Sequence, residues 1–216
     1  MEGSECRGSG DWINTLPSAT LGLKMSSDQF RIAAGLRLGA NITSSYTCVC
    51  GAQSDVKGIH ALSCSSSSSR HTRHRLGNEA VKRALQAADI PSSLEPVGLA
   101  RSDGKRPDGI TLIPWSNGRC LIWDFTCVNR VATSNVNGGM LTGPIIADKA
   151  EEMKTTKYQE LSFDYIFQPI AIEHLGGLGT DTQKFVQLLC KKIVTTTDDK
   201  RAGSFFRQRL SLTVQI

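Results

Sequence analysis

The sequence has no apolar run approaching the roughly 18 residues that a membrane-spanning helix needs, so no helical anchor is expected within it. Its first residues lack the apolar core of a secretory signal, and secretion is not expected either. No segment recurs at a fixed period, which argues against solenoids and propellers. Cysteines are few, odd in number at seven, and unevenly placed. A secreted disulfide framework would pair them, so a reducing interior, cytosol or nucleus, is the better expectation. What remains is an ordinary globular composition, 39% hydrophobic and 21% charged. With 216 residues the chain can bury one sizeable core and a small appended module.

Residues 1–26 are rich in Gly and Ser and read as a flexible N-terminal lead-in. Behind caps at Ser26 and Ser27, the spacing of Phe30, Ile32, Ala33, Leu36 and Leu38 predicts a helix over 27–38. A loop carrying three cysteines follows, then a serine run, 65–69, that reads as a flexible joint. Residues 27–69 are thus expected to form a helix plus a small Cys/His module, and 70–216 the main domain. In that domain a helix is predicted over 78–89, stopping before Pro91, and strands over 94–99, 109–114 and 120–127. Asn117-Gly118 between the last two is a strong hairpin signal. Residues 129–146 read as irregular. A helix over 147–161, a strand over 165–173, a helix over 182–194 and a weakly amphipathic segment over 205–214 complete the chain. Helix, three strands, helix, strand is an α/β arrangement, a mixed sheet with helices packed on it.

Cys48-x-Cys50, followed after nine residues by His60-x-x-x-Cys64, gathers three thiolates and an imidazole. Soft ligands at such spacing suit tetrahedral zinc, with Gly51 and Gly58 supplying tight turns. Four protein ligands would close the site, making it a folding or docking element. The plainer alternative is unpaired thiols beside a surface histidine. Cys120 and Cys127 read as core residues.

Two acids stand where apolar residues would be expected. Arg106-Pro107-Asp108 opens the apolar run 109–114, and Asp124 interrupts the run Leu121-Ile122-Trp123-Asp124-Phe125. A carboxylate in a buried strand is costly unless it holds a metal or a partner charge. A hairpin would bring the two acids together, and magnesium, an oxygen-seeking ion, is the natural occupant. On the following helix Ala150, Met153, Lys157 and Leu161 form a stripe that points Lys157 at the sheet, with Lys154 and Tyr158 one step aside. An inward lysine could steady a scissile phosphate or orient water. In the alternative reading Asp108 caps a turn, Asp124 pairs with Arg130, and the lysines are solvated. The net charge is +5, and Arg70, Arg73, Arg75, Lys82 and Arg83 crowd one stretch while Lys105 and Arg106 flank Asp108. Such a basic surface suits a polyphosphate partner.

Asp108, Asp124 and a following lysine resemble the PD-(D/E)xK nuclease superfamily, although Thr126 stands where its acid-x-Lys pattern has lysine. The series is most similar to the restriction-like endonuclease at the C-terminus of site-specific non-LTR retrotransposons, where the lysine has moved to the next helix in a Lys-x-x-Lys-Tyr pattern. Lys154-Thr155-Thr156-Lys157-Tyr158 matches it. Cys48, Cys50, His60 and Cys64 stand in the place of that branch's zinc knuckle, and Arg73-His74 in the place of its Arg/Lys-His motif. The resemblance covers most of residues 12–214. It implies a restriction-endonuclease-like core with catalytic Asp108, Asp124, Lys157, Lys154 and Tyr158. It implies Mg (or Mn) on the two acids and Zn at the knuckle. Nucleic-acid contacts are implied for Arg70, Arg73, His74, Arg75, Lys82, Lys105 and Arg106. The expected partners are DNA and element RNA, the expected compartment is the nucleus, and the expected reaction is a nick whose 3′-hydroxyl primes reverse transcription. A third carboxylate, often found in such cores, would be Glu79 or Glu95. The parent elements' Tyr-x-Asp-Asp polymerase motif is absent here. A stand-alone C-terminal piece is therefore expected, and a catalytically inactive nucleic-acid-binding remnant is the second reading.

Overall fold

The computed structural model describes residues 10–99, 104–129 and 145–215. Helix α1 spans Ser27–Leu38 with the expected start: Ser26 Oγ accepts from Gln29 N at 3.2 Å, and Gln29 Oε1 accepts from Ser26 N at 2.8 Å. This reciprocal capping box satisfies two of the donors that every helix start leaves open. A two-stranded ribbon, β1 (Tyr46–Thr47) and β2 (Gln53–Ser54), leads to the short helix α2 (Ile59–Ser63). Helix α3 (Ser68–Ala87) precedes β3 (Ser92–Leu94), β4 (Gly109–Thr111) and β5 (Leu121–Val128). Helix α4 (Ile145–Lys157), a 3-10 turn over Gln159–Leu161, β6 (Ile166–Glu173), α5 (Thr180–Thr197) and α6 (Ala202–Thr213) follow.

The main sheet has the order β3-β4-β5-β6, antiparallel except for the parallel pair β5/β6. It is a mixed α/β fold. Alternation along β5 sends Leu121, Trp123 and Phe125 to one face, where they pack with Ile170 and Ile172 of β6 against α3, α5 and α6. Each such large side chain contributes about 1.5–3 kcal/mol on burial, well above the 0–1 kcal/mol of an exposed ion pair, so this layer carries the stability. Ile122 and Asp124 point the opposite way, to the face crossed by α4. Two glycines set the spacing. A Cβ on Gly77 would lie 2.3 Å from the Phe125 ring, and one on Gly109 would lie 2.1 Å from the Trp123 ring. Among the described residues no helix is long and apolar enough to cross a membrane.

Several expectations need correction. Helix α3 begins at Ser68, ten residues before the expected start, so the end of the serine run is helical and the expected boundary at 69/70 falls inside a helix. Gly77, within this helix, lets it contact Phe125. The lead-in is anchored at two points: Trp12 and Leu23 are buried with Ala33 and Leu212 in a second apolar cluster. Strand β3 covers Ser92–Leu94 and not 94–99, because Glu95 turns the chain with φ 49°. Strand β4 stops at Thr111, whose Oγ1 accepts from Leu121 N at 3.0 Å in place of a ladder carbonyl. The segment over 205–214 lies mostly within a buried helix that supplies Phe206 and Leu210 to the core. Asn117 and Gly118 have φ 50° and 72°, as the predicted tight hairpin requires.

Candidate functional site

The β4–β5 register pairs Gly109 with Trp123 and Ile110 with Ile122, which sets Asp108, the residue before β4, beside the Trp123–Phe125 stretch of β5. Asp108 N donates to Trp123 O at 2.8 Å. The Asp108 side chain adds a further bond between the two segments, its Oδ2 accepting from Phe125 N at 2.7 Å. The same oxygen lies 3.0 Å from His74 Nε2 of α3. Burial pushes the Asp108 carboxyl up, but the hydrogen bond and charge of His74 and the Phe125 amide outweigh it, and the net shift is downward. His74 is raised mainly by its bond to Asp108, against partial burial.

Asp124 is 3% exposed. Its Oδ1 is paired with Lys154 Nζ, and its Oδ2 lies 3.5 Å from Lys157 Nζ. Tyr158 is fully buried, its hydroxyl 2.5 Å from Asp124 Oδ2 and 2.7 Å from the Arg106 carbonyl, with Lys157 Nζ donating to it at 2.7 Å. The phenol has one proton, so it serves one of the two acceptors at a time. Burial pulls the Lys157 ammonium down, and Lys154 adds to this against the pull of Asp124. An acid on the central strand thus meets two lysines of α4 and the phenol just after it, and a second acid is held at the amide of the next residue, Phe125.

The geometry revises how α4 presents these groups. Met153, taken as part of an inward stripe with Lys157, is 67% exposed. The inward positions are Ala147, Glu151, Lys154 and Tyr158, spaced four, three and four apart. Glu151 is buried because its carboxylate accepts from Asp181 N, Thr182 N and Thr182 Oγ1, closing the start of α5. Lys154 is the nearer partner of Asp124, and Lys157 reaches it from the side. Arg130 lies outside the described residues.

Of the expected third carboxylates, Glu95 is exposed and bridged to Arg106, and Glu79 acts electrostatically on Arg209 of α6. His74 occupies the first-helix position beside Asp108. Its spacing of four from Asn78, whose Oδ1 accepts from Trp123 Nε1 at 3.0 Å, is the one sequence signal that could have placed it on that face. Arg73 is not a surface cation: it is buried, donating to the Leu62 carbonyl at 3.0 Å. Arg70, Arg75, Arg83, Lys105 and Arg106 are exposed and Lys82 is half-buried.

The ligand atoms of Cys48, Cys50, His60 and Cys64 all lie within 4.8 Å of one another. Cys48 and Cys64 Sγ are 3.8 Å apart, which matches the about 3.8 Å edge expected of a tetrahedral site with Zn–S bonds near 2.3 Å. Cys50 Sγ and His60 Nε2 are 3.3 Å apart. The close Cys48-x-Cys50 spacing is accommodated by a turn at Gly51, φ 85°. Asp55 organises the second half, accepting from Lys57 N, Ile59 N and His60 N. The Ala52 backbone and neighbouring groups bring the Cys50 thiol down to about 7. This cluster could hold zinc. In comparisons with known proteins, no family model matches the chain and no curated protein matches it.

Proposed function

We propose that the protein is a divalent-metal-dependent DNA endonuclease with a restriction-endonuclease-like core, related to the nuclease region of non-LTR retrotransposons. One observation carries this reading: a buried acid inside an apolar central strand receives two lysines from the next helix, while a second acid accepts from the amide of the residue that follows it, Phe125. The two carboxylates offer hard oxygen donors from neighbouring strands, which fits Mg or Mn. Asp108 and Asp124 would hold the ion, which when bound supplies Lewis-acid polarisation of the phosphate and a more acidic water. Lys154 and Lys157 place positive charge where the attacked phosphate gains negative charge. Lys157 can orient the water that attacks phosphorus while the bond to the 3′-oxygen breaks. Tyr158 fixes Asp124 from inside the fold. Arg70, Arg75, Lys105 and Arg106 would meet the phosphates, and the Cys/His cluster, as a zinc knuckle, would be a folding and docking element.

The test is nicking of supercoiled plasmid with Mg or Mn. Wild type is expected to nick, and Asp108→Ala and Asp124→Ala are expected to bind the plasmid without nicking it. The second reading, a non-catalytic DNA-binding remnant, is favoured by the pairing of both acids with hydrogen-bond donors of the chain itself. It predicts that wild type binds plasmid and leaves it intact in either metal.

A further inference from the structure

Helix α3 presents a histidine to the acid pair, and the surrounding contacts fix its orientation. Trp123 Nε1–H is a donor only, so it must meet Asn78 Oδ1, and the 3.0 Å contact is of that kind. Asn78 then turns Nδ2 outward, and this amide lies 3.5 Å from His74 Nδ1. A donor facing Nδ1 leaves the ring proton on Nε2, the nitrogen 3.0 Å from Asp108 Oδ2. The ring also stands edge-on to Phe125 with centroids 6.1 Å apart, close because Gly77 lets α3 approach that side chain. Phe125 N donates to the same carboxylate oxygen. Two donors on one oxygen fix the rotation of the Asp108 carboxylate.

We propose that His74 is a positioning residue of the nuclease site, holding Asp108 in the orientation that receives the metal ion. The inference rests on the endonuclease reading and adds to it the group that stands on the first helix in place of a third carboxylate. His74 does not ligate the ion; it acts through Asp108, as outer-shell partners of metal ligands do, where loss commonly weakens affinity or activity 10- to 100-fold (roughly).

The experiment compares wild type, His74→Ala, His74→Gln and His74→Asn in zinc-loaded full-length protein. Mn affinity is titrated directly, plasmid binding is measured without metal, and nicking turnover is measured at saturating plasmid. Glutamine can place an N–H where Nε2 stands; asparagine is too short to reach Asp108. His74→Ala and His74→Asn should weaken Mn binding and turnover about 10- to 100-fold with plasmid affinity unchanged. His74→Gln should recover to within about threefold of wild type, a smaller deficit than any lost outer-shell partner gives. If alanine matches wild type in Mn affinity and turnover, or glutamine is as poor as alanine, the proposal is overturned while the endonuclease reading stands. A plasmid-affinity loss without a change in Mn affinity assigns His74 to the DNA surface and also overturns it. A wild type that neither nicks nor binds Mn overturns the endonuclease reading, and this inference with it.

Discussion

The Cys/His cluster and the acid–lysine cluster are assembled in opposite ways. The first takes its four groups from a single stretch, 48–64, turned by Gly51 and Gly58 and tied by Asp55. The second takes one residue from α3, one from just before β4, one from the middle of β5, two from the end of α4 and one from the turn after it. The first cluster rests mostly on short-range bonds. The second exists only when the sheet is formed, and its charges are mutually dependent. Adjacent residues of α3 serve the two regions: Arg73 is pinned to a carbonyl of α2, and His74 reaches Asp108.

The largest expected effect comes from the acid that the nonlocal cluster is built around. Asp124→Ala leaves two ammonium groups facing each other beside a buried phenol. Losing one partner of a fully buried pair costs about 3–5 kcal/mol. Here the lysines are a quarter exposed, so roughly 2–4 kcal/mol is expected after allowing for solvent screening. Urea unfolding should show this together with complete loss of nicking. A variant that keeps wild-type stability would mean the lysines relax into solvent and the cluster is not interdependent.

Removal of metal should separate the two regions next. A chelator that strips the Cys/His cluster is expected to expose Cys50 to alkylation first, because its thiol is held near 7 and is largely thiolate just above neutrality. Cys127, pushed by burial to about 11, should stay unreacted until the sheet unfolds. Mass mapping of the alkylated sites decides it. Simultaneous labelling of Cys50 and Cys127 would show that the local cluster also holds the sheet together.

This contrast is also why the two regions differed in how well they could be read from sequence. The cysteine spacing, the Ser26 cap and the Asn117-Gly118 turn are local devices, and each was found where the residues pointed. The order of helix, strands, helix and strand followed from apolar periodicity. What was misread depended on distant partners. Periodicity assigns burial from residue type, so it placed Met153 inside and could not see that Glu151 is buried by α5 and Lys154 by Asp124. Arg73 was grouped with surface cations because nothing nearby reveals the Leu62 carbonyl that holds it. The bond of His74 to Asp108 likewise depends on a distant partner, and nothing in the local sequence signals it.

A smaller effect should rank the two lysines. Lys154→Met removes the nearer partner of Asp124 and should cost roughly 1–2 kcal/mol, within the range for hydrogen bonds to charged groups after screening. Lys157→Met should cost less than about 1 kcal/mol because its contact with Asp124 is longer and its bond to Tyr158 is replaceable. Under the proposed mechanism both should reduce nicking turnover more than plasmid affinity, as loss of a charge acting on the transition state does. Equal stability losses would show that the lysines share Asp124 evenly.

The smallest effect tests which cations face DNA. Each phosphate contact steepens the salt dependence of duplex binding by about 0.9 in logarithmic slope. Arg70 and Arg75 are exposed on α3, so changing both to Ala should flatten the slope by about 1.8 and leave unfolding unchanged. Arg73→Ala should do the reverse. Its guanidinium is buried against the α2 carbonyl, so its loss should destabilise the protein by roughly 1–3 kcal/mol, as for other unsatisfied buried groups. The slope should then stay within about 0.3 of wild type, a third of one phosphate contact. Binding isotherms across a salt series and urea unfolding of the same samples separate the outcomes. A flattened slope for Arg73→Ala at unchanged stability would return Arg73 to the DNA surface and dissolve its role as the link between the two regions.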